Sequence, residues 1–456
     1  MIIVIGDIIL DHYIDGSSSR LSPEAPIPVV NFSKENFSLG GAANVAKIIK
    51  NFNESVLLIG LIGNDEDGLI LKTKIDKLKI KSYLIKKKDF KTLKKTRITS
   101  DDVQIVRVDY ETDNYIFKEI QLIIDFIKKI DLKKIDSVII SDYDKGFLAN
   151  PKKLINYLNS KKIKTFIDTK KANIDCYKNT YLIKPNLKEF NKILNFLNLK
   201  YDKKFTKEEI IKFYNIKNLL LTKGSEGLEL INNKKIIQYN ADKIDVIDVT
   251  GAGDMILASL VTFLNKNHSL SEAIKISKLA ASKIVKVKGT GNLKYEDLFL
   301  VPKNKYLKLT DLEKVVKDLK LLNKKIIFTN GCFDVLHRGH IHLFEEAKKF
   351  GDILVVAVNS DQSIKNLKGS SRPINILEDR IQMLKSIIFI DYVISFEQDT
   401  PLQLIKLINP DVLVKGSDYK IKDIVGYDLM KKNKKEIKII KKFKNLSTTR
   451  LLNKNK

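Results

Sequence analysis

The chain has 456 residues, 44% of them hydrophobic, with 82 Lys and Arg against 55 Asp and Glu and a formal charge of +27. That length is too great for one ordinary hydrophobic core and implies two domains, while no apolar run reaches the roughly 20 residues a membrane-spanning helix needs. Only seven of the basic residues are Arg and the lysines are scattered among Ile and Asn, which argues against a nucleic-acid-binding stripe, and Cys176 and Cys332 lie too far apart to indicate a disulfide framework or a clustered metal site.

The opening "MIIVIGDIIL" reads as a buried first strand, with neither the basic region nor the small-residue cleavage site of a secretory signal, so a cytoplasmic protein is expected. Asp7 and Asp11 are expected at its end, suited to hydroxyl recognition. In "SLGGAANVAKII" (38–49), Gly40 and Gly41 precede a helix and permit close approach of a small polar ligand. The runs "SVLLIGLIG", "DSVIISDYD", "IKTFIDTK", "TYLIKPN" and "NLLLTKG" follow, each apolar and each ending in a polar or glycine-containing turn. Such strands describe a parallel sheet covered on both faces, with ligands at the carboxyl ends.

"DVTGAGDM" (248–255) is the densest glycine signal. Small residues there let successive N–H groups point into one concavity at a helix start, which suits a phosphate. A carboxylate beside such a nest needs a reason, and Asp254 fits a base that takes the proton from an alcohol attacking a phosphoryl group. The other reading makes Asp254 a first-turn residue that stabilises the helix dipole.

A polar helical stretch over 306–324 is expected to connect a front domain (1–305) to a back domain (325–456). There a new α/β series begins: strand "KIIFTNG", helix "IHLFEEAKKFG", strand "DILVVAVNSD", helix "LEDRIQMLKSI", strand "DYVISF", helix "PLQLIKLIN", strand "DVLVKG". In "TNGCFDVLHRGH" (329–340), His337 and His340 fall on one face of a helix start. Two imidazoles there can donate to phosphate oxygens while pyrophosphate leaves, which is nucleotidyl transfer. A zinc site would have to recruit Cys332 and His342, and two structural histidines are the remaining reading.

"GD", "GG" with Asn44, "KPNLKE" (184–189), "LLTKGSEG" (220–227) and "DVTGAGD" in this order resemble the ribokinase family of sugar kinases over about 300 residues. The resemblance implies Asp254 as base and the amides of Gly251, Ala252 and Gly253 as anion hole. It places Asn186, Leu187, Lys188 and Glu189 in the nucleotide region, with Mg²⁺ bound only as Mg·ATP near Glu189. Thr222 and Gly224 fall near the nucleotide, and Asp11, Gly40, Gly41, Asn44 and Arg97 around the sugar. Gly224 as a plain turn and Asn186 as a plain helix cap stay open. "SRLSPEAPIPV" and "SDYDKG" are similar to segments of bacterial heptose-7-phosphate kinases, which implies cations for a distal phosphate, with Arg20, Arg97, Arg107, Lys145 and Lys170 as candidates.

The back half resembles the cytidylyltransferase-like superfamily through "HRGH", "VAVNSDQS", "LKGSSRP", "PDVLVKGSDY" and "LSTTR". This implies nucleotide contacts from Thr329, Asn330, Gly331, Phe333, His337, His340, Lys368 and Arg372, and from Ser447 and Thr448 unless these only cap a helix. The expected fold class is therefore α/β, a ribokinase-like doubly wound sheet domain followed by a smaller Rossmann-like nucleotidyltransferase domain. The resemblance implies ATP-dependent phosphorylation of a heptose 7-phosphate, then AMP transfer from ATP to heptose 1-phosphate, with ATP and Mg²⁺ as cofactors. It also implies a homodimer, while the scattered lysines leave neither nucleic acid nor membrane as an expected partner; action on another sugar phosphate, or use of CTP, is the alternative. Three departures stand out: Met255 where Thr is usual, Thr169 where Pro is usual, and "KKNKKEIK" in place of a glycine-rich turn that Asn433 is expected to make in a left-handed conformation.

Overall fold

A computed structural model describes residues 1–101, 103–112, 114–242, 244–286, 291–298 and 304–441. The chain divides into two compact units, Met1–Leu298 and Phe299–Lys456.

The first unit is built on a nine-stranded sheet. Ile2–Gly6 lies inside it, with Ser137–Asp142 on one side and Val56–Gly63 then the edge strand Lys81–Lys87 on the other, all parallel. Beyond Ser137–Asp142 come Lys164–Thr169, Leu182–Ile183 and Asn218–Thr222, and two antiparallel strands, Leu228–Asn232 and Ile236–Tyr239, finish that edge. The inner strands are buried along their whole length, as continuous Ile, Leu and Val runs require when both faces are covered. Strand order reverses beside Ile2–Gly6, so the crevice at its carboxyl end is the topological switch point. There the Asp7 N–H donates to Ser141 O at 3.0 Å, and a Cβ on Gly6 would collide with that same carbonyl.

A separate four-stranded sheet, in the order Asn31–Gly41, Ile8–Ser17, Leu93–Ser100, Val103–Tyr110, forms a lid. Asp11 thus lies within a lid strand, not at the end of the first strand as expected, because the chain breaks at Asp7 and re-enters as Ile8–Ser17. The lid's outermost strand, Val103–Tyr110, is exposed at every position.

In the second unit a five-stranded parallel sheet runs Tyr392–Phe396, Ile353–Asn359, Ile326–Gly331, Val412–Gly416, Glu436–Ile440. Apolar clusters cover both faces. The segment expected as a connector contains the helix Leu309–Leu321, which buries Leu312, Val315, Val316 and Leu319 in the core of this unit. Each such side chain contributes about 1.5–3 kcal/mol by leaving water, so this helix is part of the second core. The turn before the last strand also differs from expectation: Asn433 has φ of −87°, and Lys434 takes the left-handed conformation at +53°. Asn433 is instead the cap of Tyr427–Lys432, where its N–H donates to Leu429 O at 3.0 Å. Among the described residues no helix is long and apolar enough to cross a membrane.

Candidate active sites

In the first unit, the helix Ala252–Asn265 starts at Gly251, whose φ of +78° suits a residue without a Cβ. The N–H of Ala252 donates to Val249 O at 3.2 Å, so a phosphate entering the nest would compete with that turn. Asp254 sits buried in the first helical turn. Its Oδ2 accepts from Asn44 Nδ2 at 2.8 Å and its Oδ1 from the Tyr143 hydroxyl at 3.2 Å. Burial pushes this carboxyl up to about 6, with the Asn44 hydrogen bond opposing the rise and Asp168 adding to it. At neutral pH the group is ionised yet far more basic than an exposed carboxylate, which suits proton abstraction. Burial also holds the Tyr143 phenol well above its usual range, so it stays a donor.

Two charged residues not singled out from the sequence complete this centre. Lys184 is buried, pairs with Asp168 at 2.9 Å, and would stand 3.5 Å from a Cβ on Gly253. An ammonium therefore lies against the glycine nest. Both residues fall in quoted motifs, "KPNLKE" and "IDTK"; the available signal was a charge at the carboxyl end of an otherwise apolar strand.

Of the residues expected around the sugar, Asp11 is buried and accepts from Arg97 at 2.7 Å, and the guanidinium also lies 5.2 Å from the Tyr13 ring. A Cβ on Gly40 would collide with Asp11 Oδ2, and Gly41 has φ of +57°. Asn44 follows in the helix Ala42–Asn51, so Asp11, Gly40, Gly41, Asn44 and Asp254 are brought together. The other candidate cations disperse: Arg107 binds Asp109 on the exposed lid strand, Lys145 pairs with Glu111, and Arg20 is exposed. Lys170 pairs with Glu189 and lies near Asp168 and Asp254.

Thr222, Gly224 and Gly253, expected near the nucleotide, line a mostly apolar pocket of about 520 Å³ together with Ala252, Ile256 and Val285, among others. It abuts the glycine nest and fits a nucleobase with its ribose. Asn186 caps the helix Leu187–Tyr201 in a reciprocal pair with Glu189, at 2.9 and 2.8 Å. Leu187 is exposed, and neither it nor Lys188 lines the pocket. Met255 is buried within its helix, so this position supplies packing and no polar contact to the site.

In the second unit, Thr329, Asn330 and Gly331 end the strand Ile326–Gly331, and His337 precedes the helix Arg338–Lys348. The His337 and His340 rings stack with centroids 3.9 Å apart, and Phe333 meets His340 edge-on at 5.3 Å. The His337 N–H donates to His340 Nδ1 at 3.4 Å, which leaves the proton of a neutral His340 on Nε2. Burial, then His337 and Lys368, pull His340 down to about 4, and burial lowers His337. Both rings are neutral donors at physiological pH. Arg372 is held by the buried Asp334 at 2.6 Å, and Lys368 ends the helix Asp361–Lys368. The sequence reading passed over Arg380, fully buried and donating to the carbonyls of Asn375, Cys332 and Asn359 and to Asp361. Ser447 and Thr448 lie outside the described residues. Among those described, no group of three or more His, Cys, Asp or Glu is placed to hold a metal ion.

A carbohydrate kinase joined to a nucleotidyltransferase is the class that fold and sites define. Residues 1–297 match the pfkB family of carbohydrate kinases, and residues 328–453 match the cytidylyltransferase-like family. The first unit's fold is shared with phosphofructokinase-2 from Escherichia coli (TM-score 0.54, 18% identity, 65% of this chain and 96% of that one) and with ribokinase from Thermotoga maritima (TM-score 0.51, 18% identity, 65% and 97%). Over its whole length the chain is similar to the bifunctional protein HldE of Aliarcobacter butzleri (38% identity, 98% of this chain and 96% of the relative) and of Campylobacter concisus (39%, 99% and 96%). The chain belongs to the bifunctional HldE family.

Proposed function

We propose that the first unit phosphorylates D-glycero-β-D-manno-heptose 7-phosphate at its anomeric hydroxyl, and that the second transfers AMP from ATP to the heptose 1-phosphate. The products are the 1,7-bisphosphate with ADP, and ADP-heptose with pyrophosphate, the latter sugar nucleotide serving lipopolysaccharide core synthesis. The observation that carries the kinase reading is Asp254, a buried carboxylate tied to Asn44 and Tyr143 beside a glycine nest and the Lys184 ammonium.

Asp254 takes the hydroxyl proton as the sugar oxygen bonds to the γ-phosphorus and the bond to the ADP oxygen breaks. Asp11 and Asn44 orient the sugar, while Lys184 and the nest N–H groups receive the charge that develops on the phosphoryl oxygens. Asp168 and Glu189, each matched by a lysine, are the carboxylates that would hold a magnesium ion entering with the nucleotide, which would supply neutralisation of phosphate charge. In the second unit the neutral imidazoles of His337 and His340 donate to the α-phosphate as the sugar phosphate oxygen displaces pyrophosphate. Because one product carries two phosphates and the second substrate one, a separate phosphatase acts between the steps.

The protein acts in the cytoplasm as a homodimer, and the dimer reading is supported by Val106, Val108 and Tyr110, apolar and exposed on the lid's edge strand. The test is phosphorus NMR of the purified protein with Mg·ATP and the heptose 7-phosphate. A new anomeric phosphate signal is expected; intact ATP, or activity only with another sugar phosphate, would overturn the substrate assignment.

A further inference from the structure

Strand order in the second unit reverses between Ile326–Gly331 and Val412–Gly416, so the carboxyl ends of these two strands flank its topological switch point, where open α/β sheets bind ligands. The parallel register, Ile327 with Val412 and Phe328 with Leu413, brings Lys415 beside Asn330 at that end. Lys415 is only 8% exposed. Its Nζ donates to Asn330 O at 3.0 Å and lies 5.1 Å from the Tyr419 ring. Among the described residues no carboxylate pairs with it, whereas Arg372 and Arg380 of the same unit are each matched by an aspartate.

An ammonium has three donors, and a single carbonyl does not offset the cost of taking its charge out of water. Burial lowers its proton affinity to about 8, so it is still largely charged at neutral pH. At the end of the same strand and at the start of the helix that follows, Thr329 Oγ1, Asn330 Oδ1 and His337 Nδ1 are buried without a hydrogen-bond partner. Buried polar groups are nearly always satisfied, and a cation gathered with such groups at a ligand-binding crevice calls for an anion with both lone pairs and hydroxyls to offer. Resting on the nucleotidyl-transfer reading of this unit, we propose that Lys415 binds a phosphate oxygen at the transfer centre, either of the sugar 1-phosphate or of ATP.

The test compares full-length Lys415→Met and Lys415→Arg with the unaltered chain. Methionine keeps the length and removes the charge; the kinase activity of the first unit is the internal control. Sugar nucleotide formation should fall about 30-fold or more in Lys415→Met, and Lys415→Arg should recover part of it. Thermal unfolding should show the second unit as stable as before or more so, since an unmatched buried charge has gone. A rise in KM for the sugar phosphate or for ATP tells which phosphate is held. Transfer within about threefold of the unaltered chain, or a loss accompanied by a lower melting temperature of the second unit, would overturn the proposal. Calorimetric binding of ATP and of the sugar 1-phosphate, which needs no turnover, separates this from failure of the transferase reading. At least one affinity drops in Lys415→Met if the lysine holds phosphate, and neither changes if it does not.

Discussion

As the proposed base, Asp254 must be ionised to accept a proton and basic enough to take one: burial and Asp168 raise its basicity, while the Asn44 and Tyr143 hydrogen bonds and the Lys184 charge favour the ionised form. The kinase kcat should therefore rise with pH through an acid limb centred near 6. Asp254→Asn should lower kcat by about 10²–10⁴-fold and leave adenylyl transfer unchanged in the same preparation. The same residue links to stability with a definite sign. Its folded pKa lies above the ordinary 3.8, so between pH 4 and 6 the native state binds more protons than the unfolded one and stability falls as pH rises through that window. Asp254→Asn should thus melt higher than the parent at pH 7, with the gap closing below about pH 4. At Gly40 the argument is steric: the Cβ of Gly40→Ala would meet Asp11 Oδ2 and displace the carboxylate. Steady-state kinetics should show the sugar KM raised about tenfold or more and the ATP KM nearly unchanged.

At the scale of elements, Arg380 is the piece that knits the second unit. It ties the loop after Ile326–Gly331, the end of Ile353–Asn359 and the start of Asp361–Lys368 through three carbonyls and one carboxylate. Arg380→Met removes every one of these hydrogen bonds, leaving buried carbonyls unpaired, and should destabilise this unit by about 3–5 kcal/mol while the kinase persists. Differential scanning calorimetry, with the kinase assay beside it, would show one transition lowered and the other in place. The main sheets were legible because their strands are unbroken apolar runs ending in polar turns. The lid was not: "NFSKENFSLGG" and "VQIVRVDY" are largely exposed, so neither produces a buried run or a clean alternation. Asp254, Asn44 and the histidine pair were legible because short motifs hold them at fixed spacing. Tyr143, Asp168, Lys184 and Arg380 act through contacts across the fold, between residues as far as 111 positions apart for Tyr143 and Asp254, and although a charge closing an apolar strand marks Asp168 and Lys184, their partners are set by the fold.

At the scale of the molecule, two separate cores carry two separate chemistries. His340→Ala should abolish sugar nucleotide formation and leave phosphorylation of the heptose 7-phosphate at its original rate, the mirror image of Asp254→Asn; coupled assays on each variant would read both. The segment that leads into the second sheet reinforces this division, because the Leu307 N–H donates to Val393 O at 2.9 Å and the helix that follows belongs to the second core. One polypeptide with two sites also fixes their stoichiometry. Every act of translation delivers one kinase and one adenylyltransferase, so a cell cannot adjust their ratio by expressing one over the other. Control of flux between them then falls to what lies outside this chain: the supply of ATP common to both, and the enzyme that removes the second phosphate in between.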